Sequence, residues 1–489
     1  MKNKLFLLFL LLLIFCQNSA AEEFIQVPAA IQIASKATEG KYGISDIVSV
    51  ARENNIKVLI ITDPILMKWE YGLWPFANII KKTIEHDSVF KYGIKRYLKE
   101  IEEANKKNPD LVLIPAVEAA PFYYWQGSIF NRTLAIKDWH KHILAIGLEK
   151  EGDYKNLPVI GNKQGLLLPF RFKNILYLVM PLFLLLTGVL CLRKWWMNYK
   201  YFRFLNRETP VLIWIICGIF FLIAGLFLVL QNYPFRDFKF DQSRGDLGIM
   251  PYQNFVDYVH KHGGFTFWAH PEAGYITEIR KIKIETKEHS DALLKTQNYT
   301  GFAIFYEGYE KIGRPGGVWD EILMQYCRGK RTMPIWVIGA LAFEATGDLG
   351  ESMKDLRNIL LVNKLDKGEI LKALGEGRMY VARGKDSSQF VLDKFIIRDT
   401  ATGTDKTMGE CIEIKQMPQI EIKGHFLSGH SQPIKIKLIR DGSIIKIFDT
   451  LDISYQDEYG EKGEMVYYRI EIESPTLQVV TNPIFVQRR

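Results

Sequence analysis

Short apolar runs and amphipathic stretches alternate along this chain before residue 174. IQIA at 31–34 reads as a strand, Ile44 to Asn54 as a helix, and KVLII from Lys57 to Ile61 as a buried strand leading into Thr62, Asp63 and Pro64. A helix from about Tyr92 to Asn105 follows, then the strand-like segments LVLIPAVEA and HILAIGL. The alternation resumes with a helix around Asn254 to Lys261, strands GFTFWAHPE and GFAIFYEG, a helix from Val318 to Arg328, strands PIWVIGA and RNILLVN, and helix GEILKALGEG. Strands alternating with helices in this way predict one closed α/β barrel assembled from both stretches. From about Phe390 the period changes to two (FVLDKFIIRD, QIEIKGHF, IKIKLIRDG, YYRIEIES), which predicts a small all-β, sandwich-like domain.

Between the two halves lie apolar runs from Ile175 to Leu192 and from Val211 to Leu230. Each is long enough to cross a hydrocarbon layer of about 30 Å as a helix. The intervening residues 193–210 carry Arg193, Lys194, Lys200, Arg203 and Arg207 against Glu208, with Trp195, Trp196 and Tyr199 suited to headgroup depth. That excess of cations predicts a cytoplasmic loop. The amino terminus has two lysines, an apolar stretch and small residues Ser19 and Ala21, the pattern of a secretory signal peptide over 1–21. Together these readings predict a first barrel half at 22–174, a transmembrane hairpin at 175–230, a second half at 231–386 and a β-domain at 387–489. The chain is expected in the cell membrane, with the lipid bilayer as partner and both barrel halves and the β-domain extracytoplasmic.

Composition narrows the function classes. The 489 residues are 48% apolar and 24% charged, and the net charge of +8 is spread without a dense basic block, so no nucleic-acid partner is expected. Cysteines at 16, 191, 217, 327 and 411 show no CxxC spacing, which points to neither a zinc knuckle nor a disulfide framework.

The strings IQIASKATEGKYGISDIVSVARENNIKVLIITDP, IPAVEAA, HKHILAIGL, WAHPEAG, VIGALAFEATGDLG and the closing ILKALGEGRMYVARG resemble the frame of the polymerase and histidinol phosphatase (PHP) superfamily, and the likeness covers most of residues 29–385. VVTNPIFV at 479–486 is similar to the closing strand of the β-domain in exported members. The resemblance implies a PHP-like distorted (β/α)7 barrel, here interrupted by a transmembrane hairpin. It also implies a site in which H-x-H, Ser-Asp-Gly, Thr-Asp-His, a Glu, a His, a His-Pro and an Asp-x-His hold up to three metal ions for phosphoester hydrolysis. In this chain Gln32 and Ala34 stand at H-x-H, Glu39 at the Asp of Ser-Asp-Gly, Pro64 at the His of Thr-Asp-His, and Leu341 and Phe343 at Asp-x-His. Glu118, His142 and His270 match, and they are the expected metal ligands for at most one divalent ion, zinc or manganese, weakly held or absent. Two functions follow. One is a non-catalytic binding or scaffold protein of the cell envelope, with an envelope protein or glycan as partner. The other is a divergent single-metal hydrolase using those three residues on an anionic ester.

Other residues have plainer readings. His140 and His142 share the strand-like HKHILAIGL and are expected on one face. His260 and His262 suit the last turn of a helix. Gly313, Gly316 and Gly317 read as a loop without phosphate-cradle spacing. Phe122, Tyr123, Tyr124 and Trp125 follow the Glu118 strand and are read either as a stacking platform at the barrel mouth or as a contact with the membrane.

Overall fold

The computed structural model describes residues 24–488 apart from 75, 205–211, 280–281, 430–431 and 459–462. The signal-peptide reading at 1–21 lies outside the described residues. Before the long apolar helices come β1 (Ile25–Ile33), β2 (Val58–Pro64), β3 (Lys68–Gly72), β4 (Lys81–Glu85), β5 (Val112–Ala119), β6 (Tyr124–Gln126), β7 (Ala135–Lys137) and β8 (Ile143–Ile146). After them come β9 (Phe265–Trp268), β10 (Tyr275–Ile279), β11 (Ile282–Thr286), β12 (Gly301–Phe305), β13 (Trp336–Gly339), β14 (Leu356–Val362) and β15 (Met379–Arg383). The rest are β16 (Phe390–Arg398), β17 (Asp405–Thr407), β18 (Cys411–Ile414), β19 (Gln419–Phe426), β20 (Lys435–Arg440), β21 (Ser443–Phe448), β22 (Asp452–Gln456), β23 (Met465–Ser474), β24 (Leu477–Thr481) and β25 (Ile484–Arg488).

One sheet runs in the order β13-β12-β9-β8-β5-β2-β1-β14-β15-β24-β23-β20-β21. Strands β1, β2 and β5 are parallel, as are β9, β12 and β13, but β8 runs antiparallel to both β5 and β9. Its short apolar run ILAI is fully buried, so packing places it in the sheet whichever way it runs. The far edge returns to the middle of the sheet. Leu341 N–H donates to Ile31 O at 2.8 Å, Phe343 N–H to Gln32 O at 3.1 Å, and Ala34 N–H to Phe343 O at 2.9 Å. The apolar interiors of β1, β2, β5, β9 and β12 are almost wholly buried, and they form one core with the inner faces of the flanking helices.

The C-terminal strands are all β, as their period predicts, but they are not a separate body resting on the first sheet. Strand β24 pairs antiparallel with β15 and continues it. A second sheet, ordered β17-β16-β19-β22, packs over this extension around Ile359, Tyr380, Leu392, Ile397, Ile420 and Ile470.

The two long apolar helices span Ile175–Phe204 and Leu212–Asn232. Only 17% and 11% of their most apolar stretches is buried, which is not the pattern of core helices. They approach closely through glycines, since a Cβ on Gly188 would lie 2.9 Å from Gly218 O. The first helix continues through Arg193, Lys194 and Lys200, which were expected in a loop. No glycine or proline intervenes between Cys191 and Phe204 to stop it. At the other end the chain enters and leaves the pair side by side. Leu168 N–H donates to Asp237 O at 2.9 Å, and Lys239 N–H to Leu166 O at 2.8 Å.

That clasp makes the insertion removable. Replacing Ile175 to Leu230 with a short flexible linker is expected to give a folded protein that unfolds in one cooperative step, followed by far-UV circular dichroism and tryptophan fluorescence together. Two separate transitions, one for each half, would show that the halves are independent units.

Candidate metal centre

The reversed direction of β8 decides where its histidine goes. Ala119 faces Ile143 and Ile143 faces Trp268 in register, so the start of β8 lies at the same rim as the ends of β5 and β9. Glu118 is next to last in β5, His142 comes just before β8, and His270 follows β9 by two residues. The three converge. Glu118 Oε1 lies 2.5 Å from His142 Nδ1 and 3.7 Å from His270 Nε2, and one donor atom from each residue falls within 4.8 Å of the others. His270 has a φ of +33°, a left-handed value uncommon for a residue other than glycine. His140 is in the turn before β8 rather than in the strand. Its ring nonetheless approaches that of His142 to 5.4 Å and packs on Tyr275 at 3.6 Å.

Burial works against the charge on Glu118, but His142 and His270, through charge and hydrogen bonds, outweigh it and hold the carboxyl below the ordinary range. For His270 burial favours the neutral ring, and Glu118 reverses that, so its pKa rises. His140 and His289, without such a partner, are pushed down to about 3 by burial and by neighbouring cationic groups. The second oxygen of Glu118 is also engaged, accepting from Gln32 Nε2 at 2.9 Å. His142 Nε2, by contrast, is buried with no hydrogen-bond partner among the described residues.

These donors fit one small cation. Tetrahedral zinc with bonds of about 2.0–2.1 Å spaces its ligand atoms roughly 3.3 Å apart. The 3.7 Å separation of Glu118 from His270 is close to that value. The 2.5 Å contact with His142 is a direct hydrogen bond that an ion would have to displace. Bound there, one cation would act as a Lewis acid on an ester oxygen or lower the pKa of a bound water.

Several positions that the resemblance pairs with metal ligands lie on strands next to these three residues. Pro64 lies directly opposite Glu118 in the β2–β5 register. Gln32 sits at a register shift between β1 and β2 with φ +66°, a bulge of the kind that re-aims a side chain beside a site. Leu341 and Phe343 lie along the end of β1, are 6% and 4% exposed, and put apolar bulk where the resemblance implies Asp and His. Ala34 is buried next to them, and Glu39 instead faces His86 at 3.7 Å.

Two groups at this rim have no place in the sequence reading. Asp63 accepts from Ser35 N–H at 2.9 Å, Ser35 Oγ at 2.8 Å and Thr38 Oγ1. Burial still pushes its carboxyl up to about 6. Its signal was the Thr62-Asp63 pair at the strand end, read only as a lead-in to Pro64. Glu344, next to Phe343, has its pKa raised by burial and then by the charge of Glu118.

The remaining sequence candidates resolve simply. Phe122 and Tyr123 are core residues at 1% and 0% exposure, so neither offers a stacking platform. Tyr124 and Trp125 form β6. His262 caps the helix Met250–Lys261, its Nδ1 lying 2.7 Å from Tyr258 O. Gly313 ends a short π-helical turn, Tyr309–Gly313, and Gly316 and Gly317 lie in the loop after it, where the Gly316 N–H donates to Asp320 at 2.7 Å. Among the described residues Cys327 and Cys411 have no disulfide partner.

No protein-family profile matches the chain, and no curated protein matches it. Among solved structures it is similar to a two-domain protein from Bacteroides vulgatus described as containing a predicted PHP-like metal-dependent phosphoesterase. Identity is 10%, covering 92% of this chain and 91% of that one, with a TM-score of 0.35. It is also similar to a protein from Bifidobacterium adolescentis described as a candidate metal-dependent phosphoesterase, at 13% identity over 66% of this chain and 89% of that one, with a TM-score of 0.27.

Proposed function

We propose that this chain is a membrane-anchored, extracytoplasmic PHP-like protein whose role is binding within the cell envelope rather than phosphoester hydrolysis. In this reading strands β1, β2, β5, β8, β9, β12 and β13 form a closed barrel from residues 22–174 and 231–386, the helix pair at 175–230 crosses the bilayer, and residues 387–489 are the β-domain. The observation that carries it is the self-sufficiency of Glu118. Gln32 and His142 engage its two oxygens, so a buried carboxylate that elsewhere demands metal finds its partners within the protein. A bridged pair of cations needs more oxygen and nitrogen donors than Glu118, His142 and His270 supply. The apolar bulk of Leu341 and Phe343 closes the side from which others would come. The barrel rim then serves as a docking surface for an envelope protein or glycan.

A second reading rests on His142 Nε2, the buried nitrogen without a partner. It makes the chain a single-metal hydrolase with Glu118, His142 and His270 as ligands. Elemental analysis of the purified protein separates the two. The expected result is at most one divalent ion per chain, removed by dialysis against a weak chelator, with no turnover of generic phosphoesters. Two or more tightly held ions, with turnover lost in His270→Ala, would establish an active enzyme.

A further inference from the structure

Away from this rim, two small sheets enclose a cavity of about 330 Å³. One wall is the β3–β4 hairpin, where Trp69 faces Ile84 and Tyr71 faces Lys82 in register. The other is the sheet ordered β10-β11-β7-β6, on which Trp125, Ile136 and Ile284 form one cross-strand row. All of these side chains line the space. The lining is apolar except for Lys82 and Arg132, both exposed, and neither has an ion-pair or hydrogen-bond partner among the described residues. Trp69 is 8% exposed, yet its indole N–H is buried with no acceptor. The volume is within the range of small-ligand sites, about 300–1,000 Å³.

The same hairpin is tied to the second apolar helix. Asn78 Nδ2 donates to Gln231 O at 2.6 Å, and the Phe76 and Phe227 rings meet at 4.9 Å. The loop joining β3 to β4 therefore touches the end of the helix read as a membrane span.

We propose that this cavity binds an anionic amphiphile, an acyl chain ending in a carboxylate or phosphate. The chain lies between the Trp69–Ile84 wall and the Trp125–Ile136–Ile284 row, where apolar area leaves water. The head group meets Lys82 and Arg132, which gives both unpaired cations one kind of partner. A neutral apolar ligand would leave those donors idle, and a sugar would find few polar groups on either wall. The proposal is independent of the metal centre and draws on the membrane reading only for the source of the lipid.

The test uses the full chain in nanodiscs of zwitterionic phosphatidylcholine, with energy transfer from tryptophan to cis-parinaric acid as the signal. Saturable transfer is expected, displaced by lauric acid and about tenfold less well by dodecanol, which lacks the negative charge that the exposed Lys82 and Arg132 attract. The double variant Lys82→Ala/Arg132→Ala changes two exposed side chains, so it is expected to fold as the parent does while binding the acid about tenfold more weakly. Ile284→Asp, facing the cavity from β11, is expected to abolish acid and alcohol binding alike. Repeating the titration in nanodiscs containing phosphatidylglycerol separates the sources: competition by the bilayer assigns a membrane lipid, and its absence assigns a free fatty acid. Equal affinity for acid and alcohol, insensitivity to the double variant, or no saturable signal would overturn the proposal.

Discussion

Arg469→Leu is expected to destabilise the chain by about 3–5 kcal/mol, the cost of breaking a buried ion pair by removing one partner. Arg469, Asp320 and Glu471 are each 0% exposed. The guanidinium donates to both Asp320 oxygens at 2.8 Å, to Glu471 at 2.7 Å and to Gly313 O at 3.2 Å, and it stacks over Trp319 at 4.7 Å. Tyr467 and Tyr309 hydroxyls donate to the same two carboxylates. Without the arginine, two carboxylates keep their tyrosines but lose their only guanidinium, and neither reaches water. Arg469 lies on β23, while Asp320 lies on the helix Val318–Cys327 against the first core. The loss therefore falls on the contact between the two cores, and both are expected to melt earlier together. Denaturant titration at unchanged slope measures it. Replacing Arg469, Asp320 and Glu471 together by apolar residues of similar volume is expected to recover much of the loss. A loss under about 1 kcal/mol for the single change would mean that the network is solvated.

The second large effect concerns metal. Restoring Gln32→His, Ala34→His and Pro64→His together is expected to raise the content from at most one weakly held ion to two or more that survive dialysis. Adjacent strands lie about 4.8 Å apart, so a histidine at 64, in register with Glu118, stands within reach of an ion that both could hold. Position 32 already has a left-handed backbone, so the change to histidine adds no new backbone strain there. It also removes the amide that occupies Glu118 Oε2, freeing that oxygen. Adding His270→Ala to the triple variant is expected to reverse the gain. Unchanged elemental analysis in the triple variant would mean that these positions do not face one site.

The main strands are legible because burial on both faces writes itself as continuous apolar runs, as in KVLII and LVLIPAVEA. Strand direction is not written that way. Nothing in HILAIGL distinguishes a parallel from an antiparallel neighbour, yet the reversal of β8 is what brings His142 to Glu118. Glu118 and His270 could be read from their places at strand ends, whereas the acceptor role of Asp63 depends on a loop curling back from β1. The strand YYRIEIES shows a different limit. Its alternation suggests Arg469 and Glu471 on a solvent face, and the structure presses that face onto a helix. Period-two polarity marks two faces but does not say that water lies on either. The alternating YITEI and IKIET form β10 and β11 in a separate sheet with β7 and β6, which the strand–helix rhythm does not announce.

The neighbours of β1 and β8 set a timetable for synthesis. Strand β1 lies between β2 and β14, and β8 between β5 and β9. While the ribosome is still making the apolar helices, β14 and β9 do not yet exist, and each of the earlier strands carries one bare row of amide and carbonyl groups. Such rows recruit strands from other chains. The nascent protein must be guarded through that interval, and a message cut short just after the helix pair would yield a product with two sticky edges rather than a smaller stable domain.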